Sequence, residues 1–448
     1  MDRGSDQRLV MVSADSHAAI PPDMWEEYVD AEYRHLLPAL REESTDYLRA
    51  LSVISEYPPE LMEVLDDQGV IRAGGRSGAS YRDRRIQEMN REGIAAEIVY
   101  EHDASVVPLW MSQSNVWQPE DVRTAGRRAY HRWAAEQMIG HDHRLLILGD
   151  LGWCADMDYA LKEMEFLKES GFFGIHVPGT LGDPAMPALH DPYYEPVWAR
   201  CEEYDFAVGL HAGFGMLQGS LRPILEELAA EHAPGSGLAT LTNSDKSFFV
   251  RDTRPRRGLF QILLGGVFDR HPDLKLMVTE LRADWIPSSL ALLDAMWEQA
   301  GAPALRKPSE YWSTNVVAGM SFMKPSEVDM IEEIGLDRLM FGRDYPHAEG
   351  TWPKTWQHLK ALLTQVPEAD VRKLLGGTAI SFFGLDEAEL ASVAEAIGAP
   401  TYSELFDGRP VDQQLIDAFG VRSGFHKPAE VADADEIRDL VTADFALR

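Results

Sequence analysis

The sequence predicts an α/β chain of the (β/α)8 TIM-barrel class, with an insertion after the first strand and a C-terminal helical extension. Three observations carry this reading. Eight apolar runs alternate with segments of helical periodicity, and each parallel crossover needs a helix. Polar residues of metal-ligating type stand at the C-terminal end of nearly every run, the face where barrel enzymes place their sites. No repeat of solenoid length occurs. A doubly wound sheet uses the same alternation, but the count of eight and the polar ends favour a barrel.

The first strand lies in VMVSADSH, at Val10, Met11 and Val12, and ends in Asp15-Ser16-His17. Alternate strand residues point to one side, so Asp15 and His17 can face one point. Alone, the tripeptide better suits a turn capped by Asp15. PPDMWEEYVDAEYRHLLPALREE is helical in character, with Pro21 and Pro22 at its entry. Residues 30–85 read as a charged, turn-rich insertion, with GGRSGAS (74–80) as a flexible break. DRRIQEMNREG is then a helix and IAAEIVYEHD (94–103) the second strand. RAYHRWAAEQMIGHDH is a helix and LLILGDL (145–151) the third strand. YALKEMEFLKESG has helical spacing and stops at Gly171, before FFGIHVPG (172–179), the fourth strand.

YYEPVWARCEEYD is a helix and FAVGLHAG (206–213) the fifth strand. A partly helical region over 221–270 leads to LKLMVTE (274–280), the sixth. IPSSLALLDAMWEQAG is a helix and NVVAGM (315–320) a weaker seventh strand. PSEVDMIEEIG follows, with Ser326 as its expected N-cap. RLMFGRDYPH (338–347) is the eighth strand, and ADVRKLLGGTAISFFG the closing helix. The expected organisation is a barrel over 1–385 and an extension over 386–448, packed on the barrel or on a partner subunit. That extension holds fourteen acidic and five basic residues, and its short helices include ELASVAEAIG and DQQLIDAFG.

Composition narrows the class. The 448 residues are 45% hydrophobic and 9% aromatic, enough for a large core. Two cysteines, Cys154 and Cys201, in unrelated contexts argue against a disulfide framework and for a reducing compartment. The N-terminus lacks a signal-peptide core, and no run approaches a membrane span. A soluble cytoplasmic protein is the expectation. The formal charge of −31 argues against nucleic acid. It does not exclude an anionic small substrate, because a metal or an arginine can dominate a pocket.

The strand ends form the candidate site. Strand 1 offers Asp15 and His17; strand 2, Glu101, His102 and Asp103; strand 4, His176; strand 5, His211; strand 6, Glu280; strand 8, Asp344 with His347 beyond it. A lone histidine after an apolar run is ordinarily a hydrogen-bonded core residue, Glu280 can pair with Arg282, and Asp344 with Arg343. In a closed barrel, however, these ends make one ring. So many carboxylates and imidazoles in one ring are expensive without a cation.

DSHAAIPPDMW, LHDPYYEPVWARCEEYDFAVGLHAG, HPDLKLMVTELRADWIP and FGRDYPHAEG together resemble the amidohydrolase-2 branch of the amidohydrolase superfamily. That branch includes aminocarboxymuconate-semialdehyde decarboxylase, resorcylate decarboxylases and hydrolases. The resemblance spans roughly 8–385 without the 30–85 insertion. It implies metal ligands at Asp15, His17, His211 and Asp344, with Asp15 in the first place of a motif that is often His-x-His. It also implies that Asp344 handles a proton of a metal-activated water, whose pKa a divalent ion lowers. Two departures stand out. Several decarboxylases of the branch have a catalytic histidine in an A-H-G-G-like segment after the sixth strand, where this chain has Glu280 in TELRADW. His176 stands where the branch often has an inert residue. With Glu280, and with Glu101 or His102, it offers donors for a second ion.

The expectation is therefore an enzyme using one or two divalent ions (Zn, Mn or Fe). Metal-activated water acts on a small carboxylated or carbonyl substrate, by hydrolysis or a related lyase reaction, with Asp344, Glu280 and His347 catalytic. The alternative is a non-haem di-iron, O2-dependent hydroxylase of a natural product on the same barrel. A non-enzymatic binding barrel is the third class. Trp110, Trp117, Trp153 and Trp285 can line an apolar pocket, although tryptophan there is more often core. Arg282 can hold a substrate carboxylate or pair with Asp284 or Glu280. The resemblance also implies a homodimer.

Overall fold

A computed structural model describes residues 7–57, 61–101, 119–140, 143–179, 186–212, 230, 254–301, 304–420 and 434–445. Its strands are β1 (Met11–Ser13), β2 (His17–Ala18), β3 (Ile94–Glu101), β4 (Leu145–Asp150), β5 (Gly174–Val177), β6 (Ala207–His211), β7 (Lys275–Thr279), β8 (Val316–Met320) and β9 (Leu339–Phe341). They form one parallel sheet in the order β1-β3-β4-β5-β6-β7-β8-β9, with β2 continuing β1 against β3. The two edges meet. The N–H of Ala14 donates to the carbonyl of Phe341 at 2.9 Å, that of Asp344 to Asp15 at 3.1 Å, and that of His17 to Tyr345 at 2.7 Å. The result is an eight-membered (β/α)8 barrel, as the strand count predicts, with shorter strands at several positions. The eighth strand ends at Phe341, and residues 342–347 run on as the loop above it.

Both faces of the strands are buried, which is why they read as continuous apolar runs. Val12, Ile98, Tyr100, Leu148 and Met277 fill the interior, while Val99, Ile147, Val208 and Val278 face the helices. Each such side chain contributes about 1.5–3 kcal/mol on burial. Tyr100 needs space, and Gly209 provides it: a Cβ there would lie 2.7 Å from the phenol oxygen. The N-terminal end of the barrel is plugged. Phe383 and Leu390, from helices Thr378–Phe383 and Glu387–Ile397, join the interior cluster, with Phe383 5.2 Å from Phe173.

The 30–85 region departs from the turn-rich expectation. It contains a 19-residue helix, Leu37–Ser55. GGRSGAS is not a flexible break either, for Gly75–Ala79 is a 3-10 turn whose Gly75, Gly78 and Ala79 are buried. It is fixed to the segments that follow both seam strands: Tyr345 Oη donates to the Gly75 carbonyl at 2.5 Å, Ser80 Oγ to Ala19 at 2.7 Å, and Arg76 Nε to Pro346 at 3.1 Å. Its glycines serve close packing, since a Cβ on Gly78 would stand 2.2 Å from Tyr345 Oη and 2.8 Å from the Arg85 Cα. Gly78→Ala is therefore expected to cost about 1–3 kcal/mol by overpacking. Urea unfolding measures this, and an unchanged midpoint would mean that the turn yields.

Ser326 does not cap its helix. Lys324 is the N-cap residue of Pro325–Val328, and Glu327 Oε2 accepts from its N–H at 3.0 Å. Ser326 Oγ instead accepts from Arg282 at 3.2 Å. In the C-terminal segment, helix Ala434–Phe445 is held by Asp444, which accepts from Arg257 Nε and Gln261 Nε2, each at 2.8 Å.

Candidate metal centre

Strand alternation and closure of the seam bring together side chains distant in sequence. Asp15 lies between β1 and β2, His17 opens β2, His211 ends β6, and Asp344 follows β9. Asp15, His17 and His211 offer ligand atoms within 4.8 Å of one another, as do His17, Asp344 and His347. A third such group is Glu280, Asp344 and Glu349. The groups share His17 and Asp344 and so form one continuous cluster at the C-terminal mouth. Asp15 Oδ1 is 3.1 Å from His211 Nε2 and 3.4 Å from His17 Nε2. Asp344 Oδ1 is 3.2 Å from His17 Nε2 and 2.8 Å from His347 Nδ1. The His347 ring stacks on His17 at 4.1 Å. His211 Nδ1 faces the Ala212 carbonyl at 2.6 Å and Glu280 Oε2 at 3.5 Å. A bond to a carbonyl makes Nδ1 the protonated nitrogen and leaves Nε2 as the electron-pair donor.

Local backbone is strained where these groups emerge. Glu280 and Asp344 have φ of 62° and 52°, the left-handed region that side chains disfavour. Residues held there cost about 1–3 kcal/mol each and collect at functional sites. Electrostatics follow the crowding. Burial alone would raise the Asp15 carboxyl, but the charge and hydrogen bond of His211, with those of His17, hold it well below the carboxylate range. Burial disfavours charge on His17, yet Asp15 and Asp344 lift it well above an ordinary imidazole. His211 is raised in the same way, against burial, chiefly by Asp15. Asp344 is pushed up to about 6, by burial and then by Asp15.

Not every candidate joins the cluster. Tyr100 points into the barrel, so Glu101 shares the opposite side of β3 with Val99. There burial and the nearby Asp150 raise its carboxyl well above the usual range, against the lowering effect of Arg127. Glu101 is thus not a member of the ring. His176 does face the interior, its ring 6.5 Å from Tyr100. It belongs to none of the three groups among the described residues, and burial lowers it to about 4, so it is a neutral imidazole. His102, Asp103, Trp110 and Trp117 lie outside the described residues. Trp153 and Trp285 are core, 3% and 1% exposed, with indole N–H groups bonded to His176 and Leu281 carbonyls. Arg282 is engaged by Asp284 at 2.6 Å.

Three residues near the cluster escaped the sequence reading. Glu349 carries no signal in AEGTW beyond its charge. Asp150 ends β4, accepting from Gly152 N–H at 2.8 Å, and was readable as a strand-end carboxylate. Ser321, just after β8, donates to Asp15 Oδ2. Below the ligands lies a buried ionic lattice. Glu97 of β3 accepts from Arg85 Nε at 2.9 Å and from Arg343, which also donates to Glu92 at 2.8 Å. Arg85 Nη1 reaches the His17 carbonyl at 2.6 Å.

The residues fit a divalent cation. Both nitrogens of His17 and both oxygens of Asp344 are buried without a well-formed hydrogen bond among the described residues. The mixed oxygen and imidazole donor set suits Zn, Mn or Fe.

A family model for amidohydrolases matches residues 15–385. The chain is 26% identical over 315 residues to the gamma-resorcylate decarboxylase of Polaromonas sp. strain JS666, covering 68% of this chain and 88% of that protein. It resembles the structure of an amidohydrolase from Mycobacterium avium subsp. paratuberculosis at a TM-score of 0.61 and 20% identity, over 85% of this chain and all of that one (100%). It also resembles a dihydroxybenzoic acid decarboxylase from Polaromonas sp. JS666, with bound manganese and the inhibitor 2-nitroresorcinol. There the TM-score is 0.54 and the identity 22%, over 85% of this chain and 98% of that one.

Proposed function

The chain belongs to the amidohydrolase family, and from that premise we propose that it is a metal-dependent lyase that decarboxylates a small hydroxylated aromatic acid. The supporting observation is the convergence of Asp15, His17, His211 and Asp344 at the barrel mouth. The relatives named as decarboxylases direct the choice of reaction. Asp15, His17, His211 and Asp344 would hold one ion. Asp344 with Glu280 and Glu349 would supply donors for a second. When bound, the metal supplies positive charge that holds the substrate carboxyl and polarises its neighbouring oxygen.

The chain's own groups supply the proton and the orientation. Asp344 carries the proton that the ring carbon takes as its bond to the carboxyl breaks. The bonding pair stays with the ring, carbon dioxide leaves, and the proton replaces it. His347, 2.8 Å from Asp344 Oδ1, is placed to restore that proton. Glu280 accepts a bond from a substrate hydroxyl. No described helix is long and apolar enough to cross a membrane.

The test is incubation of metal-loaded protein with 2,6-dihydroxybenzoate while following carbon dioxide release, alongside elemental analysis of protein purified without chelator. Release that a chelator abolishes supports the proposal. Hydrolysis of esters or amides without carbon dioxide release would overturn the lyase reading. Bound iron with substrate-dependent oxygen uptake would overturn both.

Metal affinity is expected to strengthen as pH rises. Burial lowers the His17 pKa, but Asp15 and Asp344 raise it further, so in the metal-free protein the ring holds its proton at neutral pH. A cation must displace that proton. The same raised pKa stabilises the metal-free fold below the ordinary imidazole range, and the contribution fades as pH climbs through the raised value. Manganese titration by calorimetry in buffers of different ionisation heat reads the released protons. Affinity that is flat between about pH 6 and 8 would contradict this.

A further inference from the structure

We infer that Ser321 is a positioning residue for the metal centre, fixing which oxygen of Asp15 faces the ion. This rests on the proposed metal reading and deepens it. A carboxylate on a short stem can rotate and present either oxygen, or both, whereas coordination at a shared point requires one fixed oxygen. Asp15 Oδ1 is turned to His211 and His17, at 3.1 and 3.4 Å. Oδ2 is turned away and accepts the hydroxyl of Ser321. The hydroxyl therefore engages the oxygen that does not face the imidazoles and leaves the other directed at them.

Ser321 can do this because of where it sits. It is 2% exposed, immediately beyond β8, and Gly342, the first residue after the neighbouring strand, stands at the point of contact. A Cβ on Gly342 would lie 2.8 Å from Asp15 Cβ and 3.1 Å from Ser321 Oγ. Only an absent side chain lets the serine and the aspartate meet. A separate serine holds the main chain: Ser13 Oγ donates to the Asp15 carbonyl at 2.8 Å and accepts from the Arg343 N–H at 3.1 Å. Main chain and carboxylate are thus anchored by different groups, and Ser321 can be removed without releasing the backbone. Partners that orient a ligand are typically worth 10–100-fold in metal affinity.

The experiment titrates full-length wild type, Ser321→Ala, Asp15→Asn and the double variant with manganese(II), read by calorimetry and by the electron paramagnetic resonance of free ion. Thermal midpoints of the metal-free proteins are measured in parallel. Ser321→Ala should weaken manganese binding by roughly 10–100-fold, leave the metal-free midpoint within about a degree, and add nothing in the Asp15→Asn background. An affinity within about twofold of wild type would overturn the inference. So would a full additional loss in the double variant, which would make the role structural. If wild type itself binds no manganese, zinc or iron(II), it is the metal reading that has failed, and the two failures are told apart.

Discussion

Asp344→Asn is expected to lower the rate of carbon dioxide release by about 10²–10⁴-fold, the usual yield of a positioned general acid or base. The amide retains the shape and can still offer an oxygen, but it carries no transferable proton. Burial and Asp15 push the Asp344 carboxyl up to about 6, so near neutrality it exchanges between acid and anion. A group balanced in this way can both give and recover a proton. The variant should also bind manganese more weakly, and burst and steady-state kinetics at saturating metal separate the two losses. Metal content and fold that survive with no change in rate would remove the catalytic role of Asp344.

The second large effect concerns stability. Glu97→Leu should cost about 3–5 kcal/mol, because it leaves buried charge without its partner. Glu97, Arg85 and Arg343 are all 0% exposed, and one carboxylate serves both guanidiniums. Arg343 retains Glu92, whereas Arg85 retains, among the described residues, the carbonyls of His17 and, at 3.5 Å, Gly78, and the Tyr345 ring at 5.1 Å. Glu97→Gln keeps the shape and tests charge alone, with a smaller loss expected. Urea denaturation of both variants checks this. A loss below about 1 kcal/mol in Glu97→Leu would mean that water or rearrangement relieves the arginines. An all-apolar replacement of such a lattice is often neutral or stabilising, so its value here lies in where it sits. It ties the carbonyl of His17 to Arg343, the residue before Asp344, across the seam that closes the barrel.

The barrel was legible because its strands are apolar on both faces and its helices are periodic. The same property hid the facing of each residue. In IAAEIVYE nothing polar alternates with apolar, so the side taken by Glu101 was not readable until Tyr100 was seen to occupy the interior. His17, His211 and Asp344 were legible from chemistry, since a strand end with a histidine or carboxylate is an economical place to build a ligand. Ser321 was not. A serine after an apolar run signals nothing until the aspartate that it touches, 306 positions earlier in the chain, is known. The turn at 74–80 misled for a related reason. Glycine marks either freedom or close approach, and only the partner, here Tyr345, distinguishes them.

The plug formed by Phe383 and Leu390 also constrains traffic. With that end filled among the described residues, the C-terminal mouth, where Asp15, His17, His211 and Asp344 lie, is the end left for a ligand to reach them. On the proposed reaction, a product held at that mouth would stand in the path of the next molecule, and its release would then set the pace of turnover.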